Sequence, residues 1–195
     1  MSRRLPAFLL ALSLALPLAP GGAAAQAAAA APIPLAKVDM ARMWGGWYLI
    51  ATIPNSFEKG MVAPYDVYSR RPDGDIGEDF YFRPGGFAAE RKHFTVHDWA
   101  EPGSDNARWR VQIVWPVALP FLVLYVDPHY RYVLFGEEDR QLGWIYARQP
   151  TIPDADYAAL LARFAALGYD KRRFVKFVQT PAQIGAPGYW SEGIE

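Results

Sequence analysis

The segment VDMARMWGGWYLIATIPNSFEKG (residues 38–60) places a pair of glycines directly before a run of aromatic and β-branched residues. Aromatic and β-branched side chains favour β-strands, and glycine and proline mark the boundaries of such strands. Here Gly45-Gly46 precedes the run and Pro54 follows it. The sequence therefore predicts a first strand over Trp47 to Ile53.

Seven further short runs of this kind follow, separated by turn signals such as Pro72-Asp73-Gly74 and Pro84-Gly85-Gly86. In the run from Arg108 to Trp115, apolar and polar residues largely alternate, which indicates one apolar and one polar face. Successive hairpins of such strands predict an all-β fold, an eight-stranded antiparallel up-and-down β-barrel. The seven runs are Val62 to Arg71, Ile76 to Arg83, Ala89 to Trp99, Arg108 to Trp115, Phe121 to Asp127, Tyr132 to Glu137 and Trp144 to Gln149.

One C-terminal helix is predicted after the strands. Thr151-Ile152-Pro153-Asp154 opens it with a proline near the first turn and a carboxylate at the positive end of the helix dipole, and Gly168 ends it. Its apolar stripe is expected to pack on the outside of the barrel, and Phe174 to Val178 is expected to form a short ninth strand. Pro64 predicts an irregular start to the second strand.

The chain divides into four predicted segments. Residues 1–25 have the form of a signal peptide, because Arg3 and Arg4 precede an apolar run and Ala23-Ala24-Ala25 closes it. Residues 26–34 form an Ala/Pro-rich linker, residues 35–179 the barrel domain, and residues 180–195 a C-terminal tail. We therefore expect an exported protein, periplasmic or secreted.

Composition excludes several classes of function. The 20 basic and 20 acidic side chains are balanced, so the chain lacks the basic excess that nucleic-acid binding requires. It contains no cysteine, which excludes disulfides, thiolate nucleophiles, cysteine metal sites and a lipid-anchored cysteine. His93 and His97, four residues apart on one strand, would lie too far from each other to share a metal ion.

Three blocks of sequence resemble the lipocalin family, in particular the group of the bacterial outer-membrane lipocalins and apolipoprotein D. The first block is Gly45-Gly46-Trp47-Tyr48 with the loop Ile53 to Gly60, which resembles the G-x-W motif and the loop after it. The second is Asp127 to Tyr132, and the third is Trp144 to Pro150. The resemblance covers roughly Val38 to Gln179 and implies an eight-stranded barrel that binds a small molecule.

By this resemblance Trp47 closes one end of the barrel, beside Gly45 and with the Arg148 guanidinium over the indole ring. Tyr68 on the second strand and Trp144 on the eighth stand where relatives present an aromatic ring to the cavity. These assignments are implied by the resemblance.

Alternation along the strands adds four inward-facing candidates for ligand contact: Trp109, Val111, Ile113 and Tyr146. The alternative is a purely structural role, in which such aromatic residues fill a packed core and contact no ligand. Periodicity does not assign a face to Phe121 to Val126, because both of its faces are apolar.

The predicted function is non-catalytic binding, transport or storage of a small hydrophobic ligand of the fatty acid or lysophospholipid class, with no cofactor and no metal. A transient contact with a membrane surface, and a monomer or weak homodimer, are also expected. The acidic pair Glu78-Asp79 is interpreted as solvated charge. Two alternatives stay open: a lipid-modifying enzyme that uses cavity carboxylates, and a structural envelope module with a filled barrel.

Overall fold

The computed structural model describes residues 32–194, so the predicted signal peptide and most of the predicted linker lie outside it. Antiparallel strands follow one another along the chain, and a two-residue strand comes after the longer of two helices. The strands are β1 (Gly45–Thr52), β2 (Met61–Arg70), β3 (Ile76–Pro84), β4 (Lys92–Ala100), β5 (Arg108–Val114), β6 (Val117–Val126), β7 (Tyr132–Gly136), β8 (Gly143–Ala147) and β9 (Val175–Lys176). The helices are α1 (Met40–Met43) and α2 (Asp154–Ala166).

Strand β1 closes the sheet into a barrel because both of its edges are paired. One edge pairs with β8. The other pairs first with β2, from Gly45 to Tyr48, and then with β9 at Ala51 and Thr52. The predicted eight-stranded antiparallel barrel, with a helix and a short ninth strand outside it, is confirmed.

Alternating side chains on the strands build two separate apolar clusters. On β7, Val133 and Phe135 point into the barrel, whereas Leu134 packs outside against α2. Strand β6 follows the same rule: Phe121 faces the interior and Leu122 the helix. Sequence periodicity could not assign these positions, because the strand is apolar on both faces.

Helix α2 contributes Leu160 and Phe164 to the outer cluster, and Gly168 follows it in the left-handed conformation, with φ of +88°. A glycine tolerates this conformation without steric cost. Among residues 32–194, no helix is both long and apolar enough to cross a lipid bilayer.

The end of the barrel nearest α1, which we call the base, is sealed around Trp47. Its side chain is fully buried, and its indole nitrogen donates a hydrogen bond to the Met43 carbonyl over 2.8 Å. The Arg148 guanidinium carbon lies 3.7 Å from the Trp47 ring centroid. The guanidinium nitrogens Nη1 and Nη2 donate hydrogen bonds to the carbonyls of Gly46 and Arg42 over 2.8 and 2.7 Å. Gly45, with φ of +94°, adopts a backbone conformation that side chains other than glycine rarely tolerate.

Several details differ from the sequence-based prediction. Helix α1 was not predicted, because its four residues are too few to show helical periodicity. Strand β6 begins at Val117 rather than Phe121. Ile33 lies within the predicted linker, yet it is buried in the outer cluster, so the packed domain extends closer to the N-terminus than Leu35. The irregularity predicted at Pro64 is present: the register of β2 against β3 shifts between Val62 and Tyr65.

Replacing Arg148 is expected to loosen the base. Arg148→Ala removes a cation over an indole face and hydrogen bonds from a charged group to backbone carbonyls. We expect a loss of about 2 to 3 kcal/mol in the free energy of unfolding, measured by urea denaturation.

Arg172→Ala is the matched control, because Arg172 is largely exposed and pairs only with its near neighbour Asp170. Its stability should change by no more than about 0.5 kcal/mol. Unchanged stability in Arg148→Ala, combined with lost ligand binding, would contradict a structural role for Arg148.

Candidate binding cavity

A cavity of about 100 Å³ lies inside the barrel, toward the end opposite the base, which we call the mouth. Five of the six predicted ligand residues line it: Tyr68, Val111, Ile113, Trp144 and Tyr146. They come from β2, β5 and β8, and their inward orientation follows from strand alternation.

Trp109 is the exception, because it does not line this cavity. Its ring is almost fully buried, 5.4 Å from the ring centroids of both Tyr68 and Phe135, and its indole nitrogen donates to the Asn106 carbonyl over 2.7 Å. Trp109 thus belongs to the packed part of the interior. Alternation correctly gave the face of the strand, but it carries no information about depth along the barrel axis.

The cavity continues into a second, more apolar region of about 290 Å³ at the mouth. The two regions share lining residues, including Phe57, Ile113 and Phe121. Phe57 and Leu119 are about half exposed at the rim, which leaves apolar surface at the entrance. An apolar molecule entering between the β1–β2 loop and the β5–β6 hairpin would therefore meet apolar side chains first.

Four acidic side chains are buried inside the barrel, and sequence reasoning missed their importance. Glu58 and Glu78 line the cavity, whereas Asp66 and Asp98 are fully buried beside it. The interpretation of Glu78 as solvated charge was wrong, since only its neighbour Asp79 faces outward, where it accepts a hydrogen bond from Thr95. Strand alternation could have revealed this burial: Glu78 lies two residues before Phe80 on the same strand, so both side chains point into the barrel.

Glu58 is well supplied with donors. Its two carboxylate oxygens accept hydrogen bonds from the Trp144 indole nitrogen and the Asn55 amide, each over 2.7 Å. Burial raises the pKa of Glu58, and these hydrogen bonds oppose that rise. The bond from Trp144 also connects the β1–β2 loop to the cavity wall.

Asp66, Glu78 and Asp98 form a second acidic group, with one residue on each of β2, β3 and β4. Burial is the largest cause that raises the pKa of all three carboxyls, and the charge of Glu78 raises the pKa of Asp66 and Asp98 further. The pKa of Asp98 rises to about 11. Asp98 therefore holds a proton at neutral pH, and burial shifts the pKa of Asp66 in the same direction.

No donor meets the oxygens of Asp66 and Asp98 with hydrogen-bonding geometry in the described part of the chain. The Tyr146 hydroxyl approaches Asp66 closely enough to lower its pKa, but its geometry does not complete a hydrogen bond. Hydrogen-bond strength falls steeply with misalignment, so this contact stabilises Asp66 only weakly.

The two histidines of β4 lie on the outer face of the barrel wall and have different neighbours. His93 stacks on Tyr81, with ring centroids 5.1 Å apart, and the His97 ring nitrogen lies 2.9 Å from the Asp75 carboxylate. Neither side chain lines the cavity.

Stability should fall as pH rises through the neutral range, because folded Asp98 keeps a proton that the unfolded chain releases above its ordinary pKa of about 4. One such proton contributes a slope of up to about 1.4 kcal/mol per pH unit. Asp98→Asn cannot ionise, so its free energy of unfolding should depend less steeply on pH. Urea denaturation at intervals from pH 5 to pH 9 measures these slopes.

Asp79→Asn on the outer face is the control and should keep the wild-type slope. Equal slopes in the wild type and in Asp98→Asn would show that Asp98 is ionised inside the barrel.

Comparison with known proteins agrees with the fold. The family model for a lipocalin-like domain matches residues 38–179. Temperature-induced lipocalin-1 of Arabidopsis thaliana is 29% identical over 170 residues, which cover 80% of this chain and 89% of that protein. The outer membrane lipoprotein Blc of Escherichia coli K12 is 29% identical over 144 residues, covering 73% of this chain and 80% of Blc.

Solved structures show the same architecture at lower sequence identity. Insecticyanin from the tobacco hornworm Manduca sexta superposes with a TM-score of 0.60 at 16% identity, covering 77% of this chain and 86% of that one. The cockroach allergen Per a 4 gives a TM-score of 0.59 at 17% identity, covering 77% and 94%. A family model that spans most of the chain and a barrel of the same topology lead to one conclusion: this protein belongs to the lipocalin family.

Proposed function

We propose that this protein binds a small hydrophobic, lipid-like molecule in its barrel cavity and carries or stores it without altering it chemically. Lipocalins typically bind small hydrophobic ligands. The observation that supports the proposal most directly is the apolar-lined cavity at the mouth, which contains five of the six residues expected from the sequence.

The size of the cavity limits how the ligand is held. The inner region, at about 100 Å³, is smaller than the roughly 300 Å³ at which ligand pockets begin. A bound chain would therefore occupy the mouth region as well, or displace side chains such as Phe57 from the rim. Each buried methylene contributes roughly 0.8 kcal/mol, so a chain of some 14 carbons offers about 11 kcal/mol before association costs. We expect micromolar to submicromolar affinity.

Fatty acids and lysophospholipids are the ligand class that the sequence suggested. The two glutamates that line the cavity would repel a fatty-acid carboxylate placed beside them, so an anionic head group fits better at the rim than in the interior. A lysophospholipid with its acyl chain inside and its head group outside meets this condition.

We also propose that the protein resides in the cell envelope as a monomer or weak homodimer. There it would contact a membrane surface transiently. Trp115 at the tip of the β5–β6 hairpin is 82% exposed, and Val114 and Val117 beside it are also exposed. Apolar side chains at the entrance of a cavity suit the transfer of a lipid to or from a bilayer, where tryptophan favours the interface. Similarity to the outer membrane lipoprotein Blc supports the location.

A lipid-modifying enzyme is the second candidate, because carboxyl groups do line the cavity. A buried acid with a raised pKa is a common general acid or base. Turnover of a lipid by the purified protein, lost in Glu78→Gln, would favour this candidate over the carrier.

A cavity-filling substitution tests the carrier. Val111→Phe adds a ring to the cavity wall, and we expect at least tenfold weaker binding of lysophosphatidylcholine or palmitate, since the ring occupies space the chain needs. Quenching of intrinsic tryptophan fluorescence measures the affinity, because Trp144 lies in the wall.

Gln112→Phe, on the opposite face of β5, is the control and should bind within about twofold of wild type. If neither ligand binds the wild type and solvent extraction of the protein from its host yields no lipid, the barrel is a filled structural module and the carrier proposal fails.

A further inference from the structure

A purely apolar ligand would form neither a hydrogen bond nor an ion pair with the acidic group of Asp66, Glu78 and Asp98. Asp66 and Asp98 are completely buried, and apart from the adjoining Glu78 carboxyl their oxygens meet no hydrogen-bonding partner with good geometry in the described part of the chain. Both adjoin Glu78, and Glu78 opens onto the cavity. Buried polar groups without partners are rare in folded proteins, and each such group points to an absent partner or a functional role.

Residues 32–194 supply no cation for this group. No ion pair in this part of the chain involves Glu58, Asp66, Glu78 or Asp98. The nearest charged and titratable groups that act on the three acids are further acids and the hydroxyls of Tyr68 and Tyr146. The described residues therefore leave the position of a positive partner open to a ligand.

A metal ion fits this group poorly. Among the described residues, acidic and histidine side chains converge closely enough to hold a metal only at Asp73, Asp75 and His97, on the outside. The ligand oxygens of Asp66, Glu78 and Asp98 do not all approach within 4.8 Å of one another. The surroundings are instead aromatic: Tyr68, Phe80, Trp144 and Tyr146 line the same cavity. Carboxylates combined with aromatic faces are the environment in which proteins bind organic ammonium groups.

Building on the proposed function, we propose that the cavity selects a lipid-like amine, whose ammonium group pairs with Glu78 while its hydrocarbon chain fills the apolar mouth. Asp66 and Asp98, as neutral acids, can donate hydrogen bonds to the Glu78 carboxylate and so stabilise its charge. Glu58 and aromatic side chains line the same cavity, and the face of an aromatic ring attracts a cation. A carboxylate ligand would meet repulsion at the same place.

The proposal has a defined proton balance. Burial raises the pKa of Glu78, and an ammonium group beside the carboxyl would lower this pKa again. Wherever Glu78 is protonated, binding of R-NH₃⁺ releases that proton to solvent and leaves the ion pair of ammonium and carboxylate. Affinity for the amine should therefore rise with pH until Glu78 is ionised in the empty barrel, whereas affinity for a neutral ligand should not change through this site.

Three probes with the same chain length test the selectivity: decylamine, 1-decanol and decanoate, titrated by isothermal calorimetry into the full-length protein at 0.15 M salt. We expect decylamine to bind at least tenfold more tightly than decanol at pH 7.5, and decanoate more weakly than decanol. Calorimetry in two buffers of different ionisation enthalpy should detect proton release at pH 6 for the amine but not for the alcohol.

Glu78→Gln keeps the shape of the side chain but removes the charge. It should lose at least tenfold in affinity for decylamine and change by less than threefold for decanol. Asp79→Asn on the outer face of the same strand controls for general attraction to an acidic surface and should bind as the wild type does. Asp98→Asn keeps a hydrogen-bond donor toward Glu78 in its amide group and should bind decylamine within about threefold of the wild type.

The outcomes separate this inference from the proposed function. Binding of decanol or decanoate as tight as that of decylamine, or a preference for the amine that survives in Glu78→Gln, overturns the amine site and leaves the hydrophobic carrier intact. Absence of binding for all three probes overturns the carrier itself.

Discussion

Strand β1 closes the barrel, because it pairs with β8 along one edge and with β2 and β9 along the other. Its first residues are held by the base, where Arg148 covers Trp47 and donates to backbone carbonyls around the turn from α1 into β1. A sheet that failed to close here would expose two edges and admit water to the interior. The enclosed cavity, its aromatic wall and the shifted pKa values of its acids all depend on this closure.

The architecture was largely predictable because each strand shows its own local pattern. Alternation located most strand positions and the inward orientation of Val111 and Tyr146. The helix showed a proline and a carboxylate at its start, a glycine after its end and a regular apolar stripe. What local pattern could not give was depth: Trp109 faces inward as predicted, but it packs below the cavity. The burial of Glu78 was not predicted, because acidic residues are usually exposed. This general tendency was given more weight than strand alternation, which points the Glu78 side chain inward.

The buried acids lower stability at neutral pH, since moving three carboxyl groups from water into a low dielectric is costly and raises the pKa of each. The barrel tolerates this because aromatic packing is dense around them, with Tyr68, Trp109 and Phe135 in mutual contact. Proteins commonly break a folding rule at a functional site and compensate elsewhere. In this barrel the buried acids lie at or beside the cavity, so they would affect which ligand binds.

Helix α2 covers only part of the barrel wall. Strands beneath it are packed on both faces, whereas other strands have one face in water, and the two groups tolerate substitution differently. All residues of β7 and β8 are buried, because one face meets the interior and the other meets the cluster beneath α2. On β3 and β4, by contrast, outward positions such as Asp79 and Thr95 face water. Outward positions on β3 and β4 can therefore change without repacking an apolar cluster, whereas every position of β7 and β8 is packed on one side or the other.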